Sequence, residues 1–189
     1  METSEIIKTA LEVLRKGGII LYPTDTVWGI GCDATNPEAV KKVYEIKRRE
    51  DSKSLVLLAS DLDMVARFVK EIPSIAIDLV EVNDAPMTII YPQGQLLAPN
   101  VMAEDGSVGI RIPMNEFCVE LVSKLRKPLV STSANISGEP TPKNYDEIPQ
   151  EIKDAVDYIV PKALGAGATG RASQILKVGL HGEIEIIRS

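Results

Sequence analysis

Ser131-Thr-Ser-Ala-Asn-Ile-Ser-Gly138 decides how this chain is read, together with Tyr22-Pro-Thr-Asp-Thr-Val-Trp-Gly29 about a hundred residues upstream. Each follows a short apolar run, Pro128-Leu-Val before the first and Gly18-Ile-Ile-Leu before the second. Those runs read as buried strands, and Pro23 ends the earlier one. Two hydroxyl-rich segments therefore leave strand ends, where ligands of open α/β sheets tend to bind. A basic run, Lys47-Arg-Arg49, lies between them. A site built from all three could hold a polyphosphate-sized anion beside a small polar ligand.

Outward from these segments, strands and helices alternate. Ile6, Ile7, Ala10, Leu11 and Leu14 recur at helical spacing, and Gly17-Gly18 supplies a stop. Asn36-Pro37 is an N-cap followed by proline at the first helical position, which predicts a helix through Ile46. Residues 54–59 form an apolar run that reads as a central strand. Asp61 caps a helix to about residue 70, another follows Pro73, and residues 114–124 are amphipathic. Strands are predicted at 87–91, 108–112, 157–160, 174–178 and 183–187, the last two as a hairpin. The expected fold is α/β, one domain over 1–189, with a twisted mixed sheet, flanking helices and an open concave ligand cavity. The Gly-, Ala- and Thr-rich residues 165–171 read as a mobile loop.

Composition narrows the chemistry. The single histidine, His181, sits in a predicted tight turn, so a Ser-His-Asp or Cys-His mechanism has little to build on. Two cysteines, Cys32 and Cys118, suit neither a disulfide framework nor a zinc site and read as small buried hydrophobes. No metal site is predicted from side chains. Aromatics make up 4%, which argues against stacking platforms for single-stranded nucleic acid. Net charge is −6, yet residues 41–53 hold six Lys/Arg and three acids, a local +3. A basic focus on an acidic body fits a small anion better than a long polyanion. No apolar run approaches the roughly 20 residues of a membrane span. The acidic N-terminus lacks the features of a signal peptide, so a cytoplasmic protein is expected.

Three positions carry competing readings on residue type alone. Lys47 and Arg49 sit two apart just beyond a predicted helix end, where both could aim at one anion; equally, they could complement the helix dipole. Ser133 and Asn135 could contact a ligand or cap a turn. Arg111 interrupts the apolar run Val108-Gly-Ile-Arg-Ile112, so it lies on a solvated face or pairs with a carboxylate. Gly29 and Gly31 form at most a fragment of a dinucleotide motif.

Five elements in order resemble the YrdC-like family of threonylcarbamoyl-AMP synthases: Pro23-Thr-Asp-Thr26, Lys47-x-Arg49, Ser107-Val-Gly-Ile-Arg-Ile-Pro113, Ser133-x-Asn135 and a Gly-x-x-Ser element ending at Ser173. The resemblance covers nearly the whole chain. It implies a nucleotidyltransferase that joins L-threonine, bicarbonate or CO2, and ATP into threonylcarbamoyl-AMP and pyrophosphate. The product would pass to the tRNA threonylcarbamoyl transferase machinery for modification of adenosine 37. It implies catalytic roles for Lys47, Arg49, Ser133 and Asn135. These four, with Lys53, Ser107, Thr141 and Arg188, become nucleotide contacts. Thr26, Arg111, Ser131 and Ser173 become threonine contacts, Arg111 on the carboxylate. Mg2+ is expected on the phosphates, held by them and water. The chain departs from the family at Val82-Asn-Asp-Ala-Pro86, where only Pro86 and the later Thr88 match, at Leu58, where some members have a threonine-contacting histidine, and at Gln174. The alternative is a non-catalytic member that binds tRNA or double-stranded RNA through its basic concavity; weak tRNA binding is compatible with either.

Overall fold

The computed structural model describes residues 2–49 and 55–189. Its elements run α1 (Thr3–Arg15), β1 (Ile20–Tyr22), β2 (Gly29–Gly31), α2 (Pro37–Lys47), β3 (Leu57–Leu58), α3 (Leu62–Phe68), α4 (Ser74–Val82), β4 (Met87–Tyr91), β5 (Val108–Arg111), α5 (Glu116–Leu125), β6 (Leu129–Val130), β7 (Thr132–Ser133), α6 (Gln150–Ala155), β8 (Tyr158–Ile159), β9 (Gln174–Val178) and β10 (Ile184–Arg188). Among the described residues, no helix is long and apolar enough to cross a membrane.

The helix starts follow from their caps. The Asn36 side chain accepts from the amides of Glu38 and Ala39, and Pro37 gives up no amide that the helix needs. Asp61 accepts from Met64 N, and Asn115 from Cys118 N, so α3 and α5 begin in the same way. α1 buries Ile6, Ile7, Ala10, Leu11 and Leu14 along one stripe, as its spacing predicts. Cys32 and Cys118 are free and buried.

The expected mixed α/β architecture is present, but as two sheets rather than one. A four-stranded sheet has the order β7-β2-β1-β8 and a six-stranded sheet the order β10-β9-β4-β5-β3-β6. Each combines parallel and antiparallel pairs: β1 runs parallel to β8 and antiparallel to β2, and β4 runs parallel to β9 and antiparallel to β5. The chain steps from one sheet to the other at Ser131, between β6 and β7. Gly29 and Gly31 are not part of a dinucleotide loop; they form β2 between β1 and β7. A Cβ at Gly31 would lie 2.6 Å from both the Tyr22 ring and Val130 O, so only glycine fits there.

Alternation along the six-stranded sheet sets up the site. Met87, Ile89, Tyr91, Val108, Ile110, Leu176 and Val178 are buried in the core. The intervening residues, Thr88, Ile90, Gly109, Arg111, Ile175 and Lys177, line a cavity. Register places Thr88 opposite Arg111 on one side and Ile175 on the other. One row further along, Ile90 lies between Gly109 and Lys177.

Candidate active site

That cavity has a volume of about 520 Å³ and is walled by both sheets. β2 and β7 contribute Gly29, Thr132 and Ser133; the six-stranded sheet contributes its floor. From Arg111 to Ser107 the floor strand covers four residues, roughly 13 Å at about 3.3 Å per residue. Among the described residues, four cationic side chains line it, Arg49, Arg111, Lys177 and Arg188, against one carboxylate, Asp105. A net-cationic hollow in a chain of charge −6 selects anions.

Nine of the residues singled out in the sequence meet in this cavity: Thr26, Arg49, Ser107, Arg111, Ser131, Ser133, Thr141, Ser173 and Arg188. Arg111 is 3% exposed. Of its two open readings, the carboxylate pair is the one observed: Nη1 donates to Asp25 Oδ1 at 2.6 Å, and Nη2 lies 3.4 Å from Thr26 Oγ1. Hydroxyls surround it. Thr24 Oγ1 and Thr26 Oγ1 are 3.0 Å apart, and Thr88 Oγ1 and Ser173 Oγ are 2.7 Å apart. Arg188 Nε donates to Ser173 O at 2.8 Å, so the final strand braces the same segment. Burial lowers the basicity of Arg188. At the other end, Ser107 N donates to Asp105 Oδ1 and Lys177 Nζ lies 3.6 Å from Asp105 Oδ2. Bonds from Ser107, then the Lys177 charge, hold the Asp105 carboxyl below its ordinary range.

Two predicted residues, Lys47 and Asn135, do not line the cavity. Lys47, expected just beyond the helix end, is instead the last residue of α2 and only 2% exposed. Its ammonium points at the turn after β7. It donates to Ser133 O at 2.7 Å, Asn135 Oδ1 at 2.9 Å and Asn135 O at 3.1 Å. Three acceptors match the three protons of an ammonium. Burial, and then the nearby charge of Arg49, bring Lys47 down to about 8. Asn135 sits behind Ser133, accepting from Ser133 Oγ at 2.6 Å while its Nδ2 donates to Glu139 O at 2.6 Å. Lys53 lies outside the described residues.

Arg48, between Lys47 and Arg49, turns away. It adopts the left-handed conformation at the helix end (φ 52°) and pairs with Glu151 on the surface. Such exposed pairs contribute about 0–1 kcal/mol. Arg48→Ala should leave triphosphate binding by the cavity within about twofold of the parent; a tenfold loss would place Arg48 in the site after all.

Sequence reasoning missed Asp25 as the partner of Arg111, and Lys177 and Asp105 at the far end. For Lys177 the available signal was a charge flanked by apolar residues, Leu176 and Val178; Asp25, between two threonines, and Asp105, between Glu104 and Gly106, carried no such signal. The loop over 165–171 is tied down: Thr169 N donates to Asp25 O at 3.0 Å and Gly170 N to Thr26 O at 2.8 Å. Trp28 packs beside it, where a Cβ on Gly165 would come within 3.1 Å of the indole nitrogen.

A family profile described as telomere recombination, the Sua5, YciO and YrdC group, matches residues 12–189. The chain belongs to this family. It is similar to the threonylcarbamoyl-AMP synthase of Pseudomonas aeruginosa, 34% identical over 157 residues, covering 82% of this chain and 84% of that one. The threonylcarbamoyl-AMP synthase of Stenotrophomonas maltophilia is 33% identical, with 89% of each chain covered. Among solved structures, Sua5 of P. abyssi complexed with L-threonine superposes with a TM-score of 0.85 at 25% identity. That match takes in 94% of this chain but 52% of the other, so this chain spans about half the length of that Sua5. YciO of E. coli shares the fold, with a TM-score of 0.80 at 22% identity and 90% of its chain covered.

Proposed function

We propose that this protein is a threonylcarbamoyl-AMP synthase, making threonylcarbamoyl-AMP and pyrophosphate from L-threonine, bicarbonate and ATP for the modification of tRNA adenosine 37. The observation that carries this is the cavity: a buried arginine among hydroxyls at one end, and further cations along a trough long enough for a second ligand. The synthase names of the curated relatives and the threonine complex of P. abyssi Sua5 support it.

Threonine binds with its carboxylate on Arg111 and its polar atoms among Thr26, Ser131 and Ser173. Its amine adds to bicarbonate or CO2, giving a carbamate, with water released when bicarbonate is the donor. A carbamate oxygen attacks the α-phosphate of ATP and pyrophosphate leaves. No side-chain nucleophile is needed; alignment and charge neutralisation supply the rate. Arg49 is assigned to the triphosphate, with Ser133 and Thr141 beside it and Ser107 and Arg188 further out. Lys47 and Asn135 act by shaping the Ser133 turn. Mg2+ would arrive on the triphosphate, held by phosphate and water oxygens, with Asp105 the one carboxylate lining the cavity among the described residues. We assign the product to the tRNA threonylcarbamoyl transferase machinery and the protein to the cytoplasm.

The test is pyrophosphate release from ATP. It should require threonine and bicarbonate together, because the attacking carbamate cannot form when either is omitted. Release that is indifferent to threonine would sink the synthase reading. Salt-sensitive tRNA binding in place of turnover would favour an RNA-binding protein.

A further inference from the structure

Asp25 does not line the cavity, yet it controls the residue at the cavity's end. Its Oδ1 accepts from Arg111 Nη1 at 2.6 Å, and its Oδ2 accepts from Met114 N at 3.1 Å. Donors on both sides of residues 112 and 113 thus converge on one carboxylate. A carboxylate accepts from both; an amide of the same shape has a single acceptor oxygen and would leave one donor facing its NH2 group. The backbone of Asp25 and Thr26 meanwhile carries Thr169 N and Gly170 N. On its other side Asp25 faces a separate opening beside Ala166 and Thr169.

The charge balance gives this contact a second consequence. On the proposed function, on which this inference rests, one cavity receives two anionic groups, a carboxylate and a triphosphate. An unneutralised arginine at 3% exposure would attract either. Arg111 paired with Asp25 is close to neutral as a unit. It still offers directed N–H groups to a carboxylate, while the long-range pull on a polyphosphate is cancelled. A zwitterionic amino acid matches such a seat better than a phosphate does.

We propose that Asp25 is the positioning and selectivity residue of the amino-acid end. It occupies one arm of Arg111, aims the rest of the guanidinium at the ligand, and keeps phosphate groups from competing for the same place. Asp25 touches neither substrate in this assignment; it acts through Arg111.

The experiment compares the full chain with Asp25→Asn, Asp25→Glu, Arg111→Lys and the Asp25→Asn/Arg111→Lys double variant. The readouts are threonine and ATP KM values, inhibition by inorganic tripolyphosphate, and melting temperature. In the parent, tripolyphosphate should compete with ATP alone. Asp25→Asn should raise the threonine KM at least about tenfold while moving the ATP KM less than about twofold. Tripolyphosphate should then also compete with threonine. The double variant should lose less threonine affinity than the sum of the two single losses, because Asp25 acts on threonine through the cation at position 111. Asp25→Glu keeps the charge but displaces it, so it should raise the threonine KM and retain the parental inhibition pattern; this arm stands if Asp25→Asn does not fold. Equal losses for both substrates, additive losses in the double variant, or an unchanged threonine KM in Asp25→Glu would overturn the proposal. A parent without threonine-dependent turnover would instead count against the synthase reading itself.

Discussion

Arg111→Ala should raise the threonine requirement by about one to two orders of magnitude and leave the ATP requirement nearly unchanged. A charge-assisted hydrogen bond is worth about 1.5–3 kcal/mol, which is that range in affinity. The structure adds a cost that the sequence did not suggest. Removing the guanidinium strands Asp25, whose side chain is 11% exposed, with only Met114 N as a donor. Breaking a buried pair from one side costs about 3–5 kcal/mol, and partial exposure of Asp25 puts this case at the lower end. A fall in melting temperature of about 6–12 °C is therefore expected alongside the kinetic defect. Threonine and ATP titrations run well below that temperature separate the two effects. Equal increases in both KM values, or an unfolded chain by circular dichroism, would make Arg111 structural only.

The contrast between Arg111 and its neighbours explains what could be read in advance. A charge inside an apolar strand announces a partner, and the partner proved to be a carboxylate. Which carboxylate was illegible, since Asp25 and Arg111 are 86 residues apart in sequence and meet only when the two sheets come together. α2 and α3 were legible because their caps are side-chain signals: Asn36 and Asp61 each make the bond that their residue type favours. The six-residue α6, which has no side-chain cap, was not expected. The division into two sheets was not. β2 is Gly-Ile-Gly and β7 is Thr-Ser, two or three residues each, too short for an alternating pattern. Lys47 misled for a related reason. A lysine in the last turn of a helix looks like a dipole partner. Two of its three acceptors are backbone carbonyls, which every residue has and no sequence marks.

Those acceptors make Lys47→Met the most destabilising of the expected changes in the basic run Lys47-Arg-Arg49. Ser133 O, Asn135 O and Asn135 Oδ1 would face a thioether in place of an ammonium. A buried polar group left unsatisfied costs about 1–3 kcal/mol; Asn135 O bears that loss in full, while Ser133 O keeps the Asn135 amide and Asn135 Oδ1 keeps the Ser133 hydroxyl as donors, so their losses are smaller. A net loss of about 3 kcal/mol, or roughly 6–12 °C in melting temperature, is expected. ATP affinity should fall as well, because the Ser133 turn loses its brace. Arg49→Ala should separate the two roles: a comparable loss of ATP affinity with a smaller loss of stability. The pH dependence carries its own sign. The folded state holds Lys47 at about 8, below the unfolded value of 10.5. Between those values the unfolded chain binds more protons than the folded one, so Lys47 adds stability as pH rises through that window. Below about pH 8 both states are protonated, and the cost of burying the charge is felt in full. The melting-temperature gap between parent and Lys47→Met should therefore widen from pH 8 to pH 10. A gap that stays constant or narrows would mean that burial does not depress Lys47. A variant as stable as the parent would remove the lysine brace from the account of the site.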